Sequence, residues 1–151
     1  MSIRCMQDSD IAKVNAIELQ SLSPWSIPSL RQELLREHGV QYLLVDCDTI
    51  IAWAALQVLG SEAELMKIAV TQEYRRRGVA LSFLSDITNI LMEKGVKEIF
   101  LEVREKNVPA CKLYEKIGFK QIGNRKKYYQ NPQDNALIYK LSVVHSGELK
   151  S

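Results

Sequence analysis

The stretch Met66-Lys67-Ile68-Ala69-Val70, followed after a short loop by Arg75-Arg76-Arg77-Gly78-Val79-Ala80, decides how this chain folds. The first part is apolar and reads as a strand. The second opens a segment, residues 78–94, in which Ala80, Leu84, Ile87 and Leu91 recur at helical spacing, flanked by Phe83 and Ile90, with Gly95 as the stop. A strand that feeds a helix through a small-residue turn leaves the first N–H groups of the helix unpaired at the positive end of its dipole. Such a joint is an anion site, and a diphosphate fits it. Gly78 and Ala80 let a ligand come close to the backbone, because neither carries a bulky side chain. The spacing is neither GxGxxG nor GxxxxGK[ST], so Rossmann and P-loop chemistry are not indicated. Taken alone, the same residues also read as a solvated arginine run ahead of a helix.

On the N-terminal side, residues 3–5 form a short first strand, and Asp8 caps a helix whose apolar positions are Ile11, Val14 and Ile17. Pro24-Trp25-Ser26 lies in a loop before a second helix with Ile27, Leu30 and Leu34 on one face and Gly39 as its stop. Residues 42–46 and 50–58 are strands joined by a polar turn. In residues 62–70 the alternation changes phase: Ala63 and Leu65 share one parity, Met66, Ile68 and Val70 the other. Either a β-bulge or burial on both faces produces this shift. On the C-terminal side come a strand over 98–103, a helix capped by Asn107 with Pro109 in its first turn and Gly118 at its end, a strand over 119–122, a loop over 125–133 and a last strand over 136–141. The order predicts an α/β (α+β) fold with a mixed sheet.

The 151 residues predict a single domain, 1–151, with a polar, frayed tail over 142–151. Hydrophobic residues at 46% and charged residues at 25% exclude a disordered chain. The longest apolar run, residues 50–56, is far short of a bilayer span, so no membrane partner is expected. Arg4, Asp8 and Asp10 stand where a signal peptide needs an apolar core. Cys5, Cys47 and Cys111 with two histidines and no CxxC make zinc, iron–sulfur and disulfide frameworks poor readings, so no metal is expected and a cytoplasmic location is. Residues 1–75 carry six Lys+Arg against ten Asp+Glu, and residues 76–151 carry 14 against 8. That asymmetry is either chance or a basic half that holds a polyanion and an acidic half that faces a cation. The net charge of +2 argues against bulk nucleic-acid binding.

Asn107, Cys111 and Tyr114 share one helix stripe, either a core face or a set of groups turned toward a ligand. A phenol keeps its proton at neutral pH and can hand it to a departing thiolate. Asn107 either binds a ligand amide or only caps its helix. Glu102, near the end of its strand, points to solvent, pairs with Arg104 or another cation, or faces a cleft at the strand terminus. Trp25 and Tyr42 both read as core aromatics, and Trp25, after a proline in a loop, is the better candidate for a pocket wall. Of the adjacent Tyr128 and Tyr129, one is expected to pack inward and the other to close over a substrate.

Read together, these residues resemble the GNAT superfamily of acetyl-CoA-dependent N-acetyltransferases. Its R/Q-x-x-G-x-G/A motif is met by Arg75, Gly78 and Ala80 after Ile68-Ala69-Val70. Leu101-Glu102-Val103-Arg104, Asn107 and Leu113-Tyr114-Glu115-Lys116-Ile117-Gly118-Phe119 look closer still to the RimI branch, as do Pro24-Trp25-Ser26 and the Arg125-x-x-Tyr128-Tyr129 segment. The likeness spans roughly residues 3–141. It departs at Ala80, often glycine in that branch, and at Asp134-Asn135-Ala136, where Glu-Asp-Ala is expected.

The resemblance implies a GNAT fold, a mixed, mostly antiparallel twisted sheet flanked by about four helices. It implies acetyl transfer from acetyl-CoA to a protein N-terminus, that of a small-subunit ribosomal protein beginning with alanine, by direct attack in a ternary complex. The cofactor diphosphate is then held by backbone N–H groups of Arg76, Arg77, Gly78, Val79 and Ala80, with charge from Arg75, Arg76 and Arg77. Its pantetheine arm lies along Ile68, Ala69 and Val70, and Asn107 contributes to its site. Glu102 is the implied general base and Tyr114 the general acid. Trp25, Tyr128 and Tyr129 are the candidates for contact with the substrate. A monomer or weak homodimer is expected. A GNAT enzyme for a small-molecule amine or a lysine side chain, and a non-catalytic acyl-CoA- or nucleic-acid-binding module, are the competing readings.

Overall fold

In the computed structural model, which describes residues 1–142, the Met66–Val70 stretch lies in the middle strand of a seven-stranded sheet. The elements run β1 (Ser2–Cys5), α1 (Ile11–Glu18), α2 (Ile27–Leu35), β2 (Gly39–Asp46), β3 (Thr49–Leu59), β4 (Glu62–Val70), α3 (Val79–Glu93), β5 (Glu98–Arg104), α4 (Val108–Ile117), β6 (Lys120–Tyr129) and β7 (Asp134–Ser142). The spatial order is β1-β2-β3-β4-β5-β7-β6, antiparallel throughout except for the β4–β5 pair. That pair is parallel because α3 carries the chain back across the sheet between them, as a crossover must. The expected mixed, mostly antiparallel sheet with four helices is what the chain forms.

The sheet is buried on both faces by different partners. The α3 side buries Phe83, Leu84, Ile87 and Leu91 against Leu56, Leu65, Ile99 and Leu101. Each of these helix side chains leaves water completely, a gain of about 2 kcal/mol apiece. The α1 and α2 side buries Val14, Ile17 and Leu30 against Leu43 and Trp53. Ile27 is half-exposed and lies outside that core, so the second helix presents a narrower apolar face than its spacing predicts.

The phase change in β4 is a bulge. Lys67 opposes Ala55 and Leu65 opposes Leu56, so Met66 is the extra residue. Both alternatives hold in part, since Ile68 packs on the α3 side while Met66 and Ala69 pack on the α1 and α2 side.

Three expectations change. Asp8 does not cap the first helix: it opens a 3-10 turn, Asp8–Asp10, and Asp10 accepts from the Gln7 N–H (2.8 Å) and from both Arg4 guanidinium nitrogens (2.9 Å each). The bidentate partner on β1 makes Asp10 the better-held carboxylate. The second helix ends at Leu35 and Gly39 already belongs to β2, with His38 at φ 67 making the turn. Residues 125–129, expected as loop, continue β6 and leave a short turn before β7. Their polarity is that of an edge strand wet on both faces, where lysines such as Lys126 and Lys127 discourage further pairing. Of the tail expected over 142–151, Ser142 ends β7 and the rest, residues 143–151, lies outside the described residues.

Candidate active site

β4 and β5 pair over four residues, Glu62–Leu65 against Glu98–Leu101, and then part. Beyond that point β5 pairs only with β7, through Glu102↔Ile138, Val103↔Leu137 and Arg104↔Ala136. Met66, Lys67, Ile68, Ala69 and Val70 therefore have one edge on β3 and a second edge without a strand partner. The bulge at Met66 lies at the fork, where the added residue bends the strand away from its parallel neighbour. A slot opens between the two strands, bordered by backbone N–H and C=O groups that can accept an extended ligand.

At the far end of β4 the chain makes the turn that precedes α3. Arg75 directs its Nε to the Val70 carbonyl (2.8 Å), so this guanidinium closes the turn. Arg77 stacks on the Tyr74 ring (5.3 Å), whose hydroxyl donates to Asp46 (3.0 Å). Arg76 at φ 64 and Gly78 at φ 74 turn the backbone, and Gly78 stands as the N-cap of α3 without a side-chain cap. The backbone N–H groups of residues 76–80 have no acceptor among the described residues. A Cβ built on Gly78 meets nothing within 4 Å, so the turn is open on that side. Five unpaired donors at a helix N-terminus, facing free space, suit a diphosphate.

Glu102 lies on the open face of the sheet. Strand alternation sends Ile99, Leu101 and Val103 into the α3 side of the core and turns Phe100 and Glu102 the other way. There Glu102 borders a cavity of about 320 Å³ with Glu62, Glu64, Gln57 and Arg125. Its cation partner is Arg125 (3.4 Å). Arg104 is engaged elsewhere, donating to the Pro132 carbonyl (2.8 Å) and covering the Tyr129 ring (4.4 Å).

Tyr114 lies on the opposite face. α4 packs it edge-on against Phe119 (5.7 Å between ring centres) and beside Tyr139 (6.3 Å). It is 8% exposed, and burial pushes its phenol up to about 12. No described residue hydrogen-bonds its hydroxyl, yet no buried side-chain polar atom among the described residues lacks a partner. The hydroxyl therefore keeps some contact with solvent while its ring stays in the core. Cys111 on the same stripe is buried, its thiol pushed up by loss of solvent. Asn107 is spent on its helix: its Oδ1 accepts from the Ala110 N–H (3.2 Å). The stripe is thus part core and part cap.

The remaining candidates separate. Tyr129 is the inward member of its pair, its hydroxyl raised chiefly by burial and then by the Glu102 charge, while Tyr128 is exposed and stacks under Arg125 (5.2 Å). Asn135 accepts from the Lys127 N–H (2.9 Å) and donates to Glu105 (2.8 Å), a pair of roles that an aspartate could not fill. Trp25 borders a separate groove of about 420 Å³ along α2, with Ser29, Gln32, Glu33 and Arg36. The structure does not bring it into the cavity beside Glu102. Sequence reasoning missed Arg125 as the partner of Glu102, and it missed Glu18, which is wholly buried beneath Trp25.

A parallel strand pair that parts after four residues, an open donor-rich helix N-terminus, and a carboxylate and a phenol on opposite faces of the sheet suit an acyltransferase of the GNAT kind. The pattern of the acetyltransferase (GNAT) family matches residues 11–119, and the chain belongs to that family. A protein of Haemophilus ducreyi named [ribosomal protein bS18]-alanine N-acetyltransferase is 36% identical over 92% of this chain and 98% of its own. One of the same name from Haemophilus influenzae is 38% identical over 85% and 90%. The crystal structure of the ribosomal-protein-S18-alanine N-acetyltransferase of Escherichia coli superposes with a TM-score of 0.88 at 29% identity, covering 99% of this chain and 98% of that one.

Proposed function

We propose that this acetyltransferase transfers an acetyl group from acetyl-CoA to the N-terminal α-amine of a protein, that of the small-subunit ribosomal protein bS18, beginning with alanine. The observation that carries the reading is the fork beyond Leu65 and Leu101, with Glu102 on one side of it and Tyr114 on the other. The names of the Haemophilus relatives, matched nearly end to end, support the choice of substrate.

Acetyl-CoA supplies the thioester. The N–H groups of residues 76–80 hold its diphosphate, and the free edge of β4 at Ile68, Ala69 and Val70 pairs with its amide arm. An N–H at the bulge polarises the acetyl carbonyl as charge develops on its oxygen. From the open face, Glu102 removes the proton of the α-ammonium, directly or through a water, and the amine attacks. From the opposite face, Tyr114 gives its proton to the sulfur as the carbon–sulfur bond breaks; the nitrogen, now bonded to the acetyl carbon, loses its second proton to solvent, and solvent restores the phenol, leaving amide and free thiol. A phenol held near 12 is fully protonated at neutral pH and so keeps that proton until the bond breaks. Arg125 pairs with Glu102 until the substrate ammonium replaces it. Substrate contacts fall to Tyr128 and Tyr129 beside the cavity and to Trp25 on the first-half loop.

The basicity of the amine favours an N-terminus over a lysine. Deprotonating an α-amine at pH 7 costs about 1 kcal/mol, against about 4.6 kcal/mol for a lysine. One carboxylate suffices more easily for the first. The cytoplasm, where Cys5, Cys47 and Cys111 stay as thiols, suits such a target. The test is acetyl transfer to alanine-initiated peptides, set beside the same peptides blocked at the α-amine but carrying lysine. Turnover of the first set alone is expected; turnover of the blocked peptides alone overturns the reading.

A further inference from the structure

The last residue of α1 is a glutamate with no exposed surface. Both oxygens of Glu18 are occupied. Oε2 accepts from the Trp53 indole N–H on β3 (2.8 Å), and Oε1 accepts from the backbone N–H of Trp25 (2.9 Å). The Lys67 ammonium on β4 sits 3.3 Å from Oε1 and also donates to the Ser23 carbonyl (3.2 Å). One helical turn earlier, Asn15 donates to the Trp25 carbonyl (3.1 Å). The Trp25 ring meets the Trp53 ring edge-on at 5.4 Å.

A buried charge is a poor device for stability alone, because its desolvation offsets most of the attraction to its partner. Its directional value is larger. This carboxylate ties three separate pieces of chain together: the segment joining α1 to α2, the centre of β3, and the residue of β4 that follows the bulge. Lys67 lies in the stretch whose outer edge faces the fork, and Ser23 and Trp25 lie in the segment that packs against Lys67 and Trp53 on the α1 and α2 side of the sheet. The spacing between the Ser23–Trp25 segment and β4 is thus set by one side chain.

We propose that Glu18 is a positioning residue for acetyl transfer, holding the Ser23–Trp25 segment in register with β4 through Lys67 so that the incoming amine is delivered to the fork. The proposal rests on the transfer reading above for its kinetic consequence. It rests on the hydrogen bonds alone for its structural one.

The test uses the full chain with Glu18→Gln, Lys67→Met and Lys67→Arg. A glutamine offers one acceptor where two N–H donors and an ammonium need two, while Lys67→Arg keeps the charge. Glu18→Gln and Lys67→Met are expected to raise KM for an alanine-initiated peptide about tenfold, to change kcat and the affinity for acetyl-CoA less than about threefold, and Lys67→Arg to recover most of the loss. Amide exchange, followed by mass spectrometry, is expected to speed up across residues 19–26 in Glu18→Gln and to stay slow in β5 and α3. An unchanged peptide KM in folded variants, or kcat and both affinities falling together with the melting temperature, overturns the positioning role. If the unmodified protein acetylates no alanine-initiated peptide, the transfer reading fails instead. The exchange pattern then still decides whether Glu18 holds the segment, and unchanged exchange there refutes it.

Discussion

Glu102 and Tyr114 occupy opposite faces of the sheet, Glu102 one residue beyond the last β4–β5 pair and Tyr114 packed beside Tyr139, the β7 partner of Leu101. On the proposed reading, a thioester held between the two strands would present its carbonyl carbon to one residue and its sulfur to the other. A buried phenol and an accessible carboxylate fit those two proposed roles. The leaving sulfur stays with the cofactor, while the amine arrives from solvent.

Removing the Tyr114 hydroxyl should slow chemistry and spare binding. Tyr114→Phe is expected to lower kcat by about 10²-fold or more with little change in acetyl-CoA affinity. The melting temperature should hardly move, since no described residue loses a hydrogen bond. Because burial holds the phenol near 12, the unmodified protein should show no loss of kcat from this group as pH rises through 9 or 10, the sign being that the proton is retained until about 12. Steady-state kinetics of both forms across pH decides it. An unchanged kcat in the variant removes the acid role.

Gly78→Ala places a methyl group in the space before the N–H groups of residues 76–80. At φ 74 the substitution also strains the backbone by about 1 kcal/mol. Calorimetry with coenzyme A should show weaker binding of at least about tenfold, beyond any modest fall in melting temperature. Equal affinity would mean that the diphosphate sits elsewhere.

The Arg4–Asp10 pair gives the acid limb of stability. Hydrogen bonds from Arg4 chiefly hold the Asp10 carboxyl below its ordinary range, opposed by burial. The stabilisation is therefore complete above the unfolded value of about 3.9 and fades as pH falls through the lower folded value. Arg4 is half-exposed, so the pair is worth about 1 kcal/mol. Arg4→Met should lower stability by that amount at pH 7, and by little at pH 2, in urea titrations.

Cysteine labelling should divide two against one. Cys5 and Cys47 are exposed and should react quickly with iodoacetamide. Cys111 is buried with its thiol pushed up by desolvation, which keeps the reactive thiolate scarce. Mass spectrometry over time should find it modified last. Fast labelling of Cys111 would show that the α4 stripe opens.

The sequence was most legible where a pattern is local. Helical spacing from Ala80 to Leu91, the glycine at 78, the proline in the first turn after Asn107 and the parity change at Met66 each have a short-range cause, and each appears in the fold. Edge strands are harder to read, because β6 is wet on both faces and its lysines look like loop. Asp8 and Asp10 are alike as caps until Arg4 is brought across from β1.

By itself, then, the chain of residues determined the strand–turn–helix joint, the alternation that turns Glu102 away from Leu101, and the helix stripe that carries Tyr114. Those depend on dihedral preferences and on periods of two and 3.6 residues, which act between near neighbours. Only the tertiary structure decided that β4 and β5 part after four pairs, that Arg125 meets Glu102, and that Glu18 reaches Trp53 and Lys67 from 35 and 49 positions away. Such pairings are set by where whole elements pack, and no local spacing records which distant donor a buried carboxylate will find.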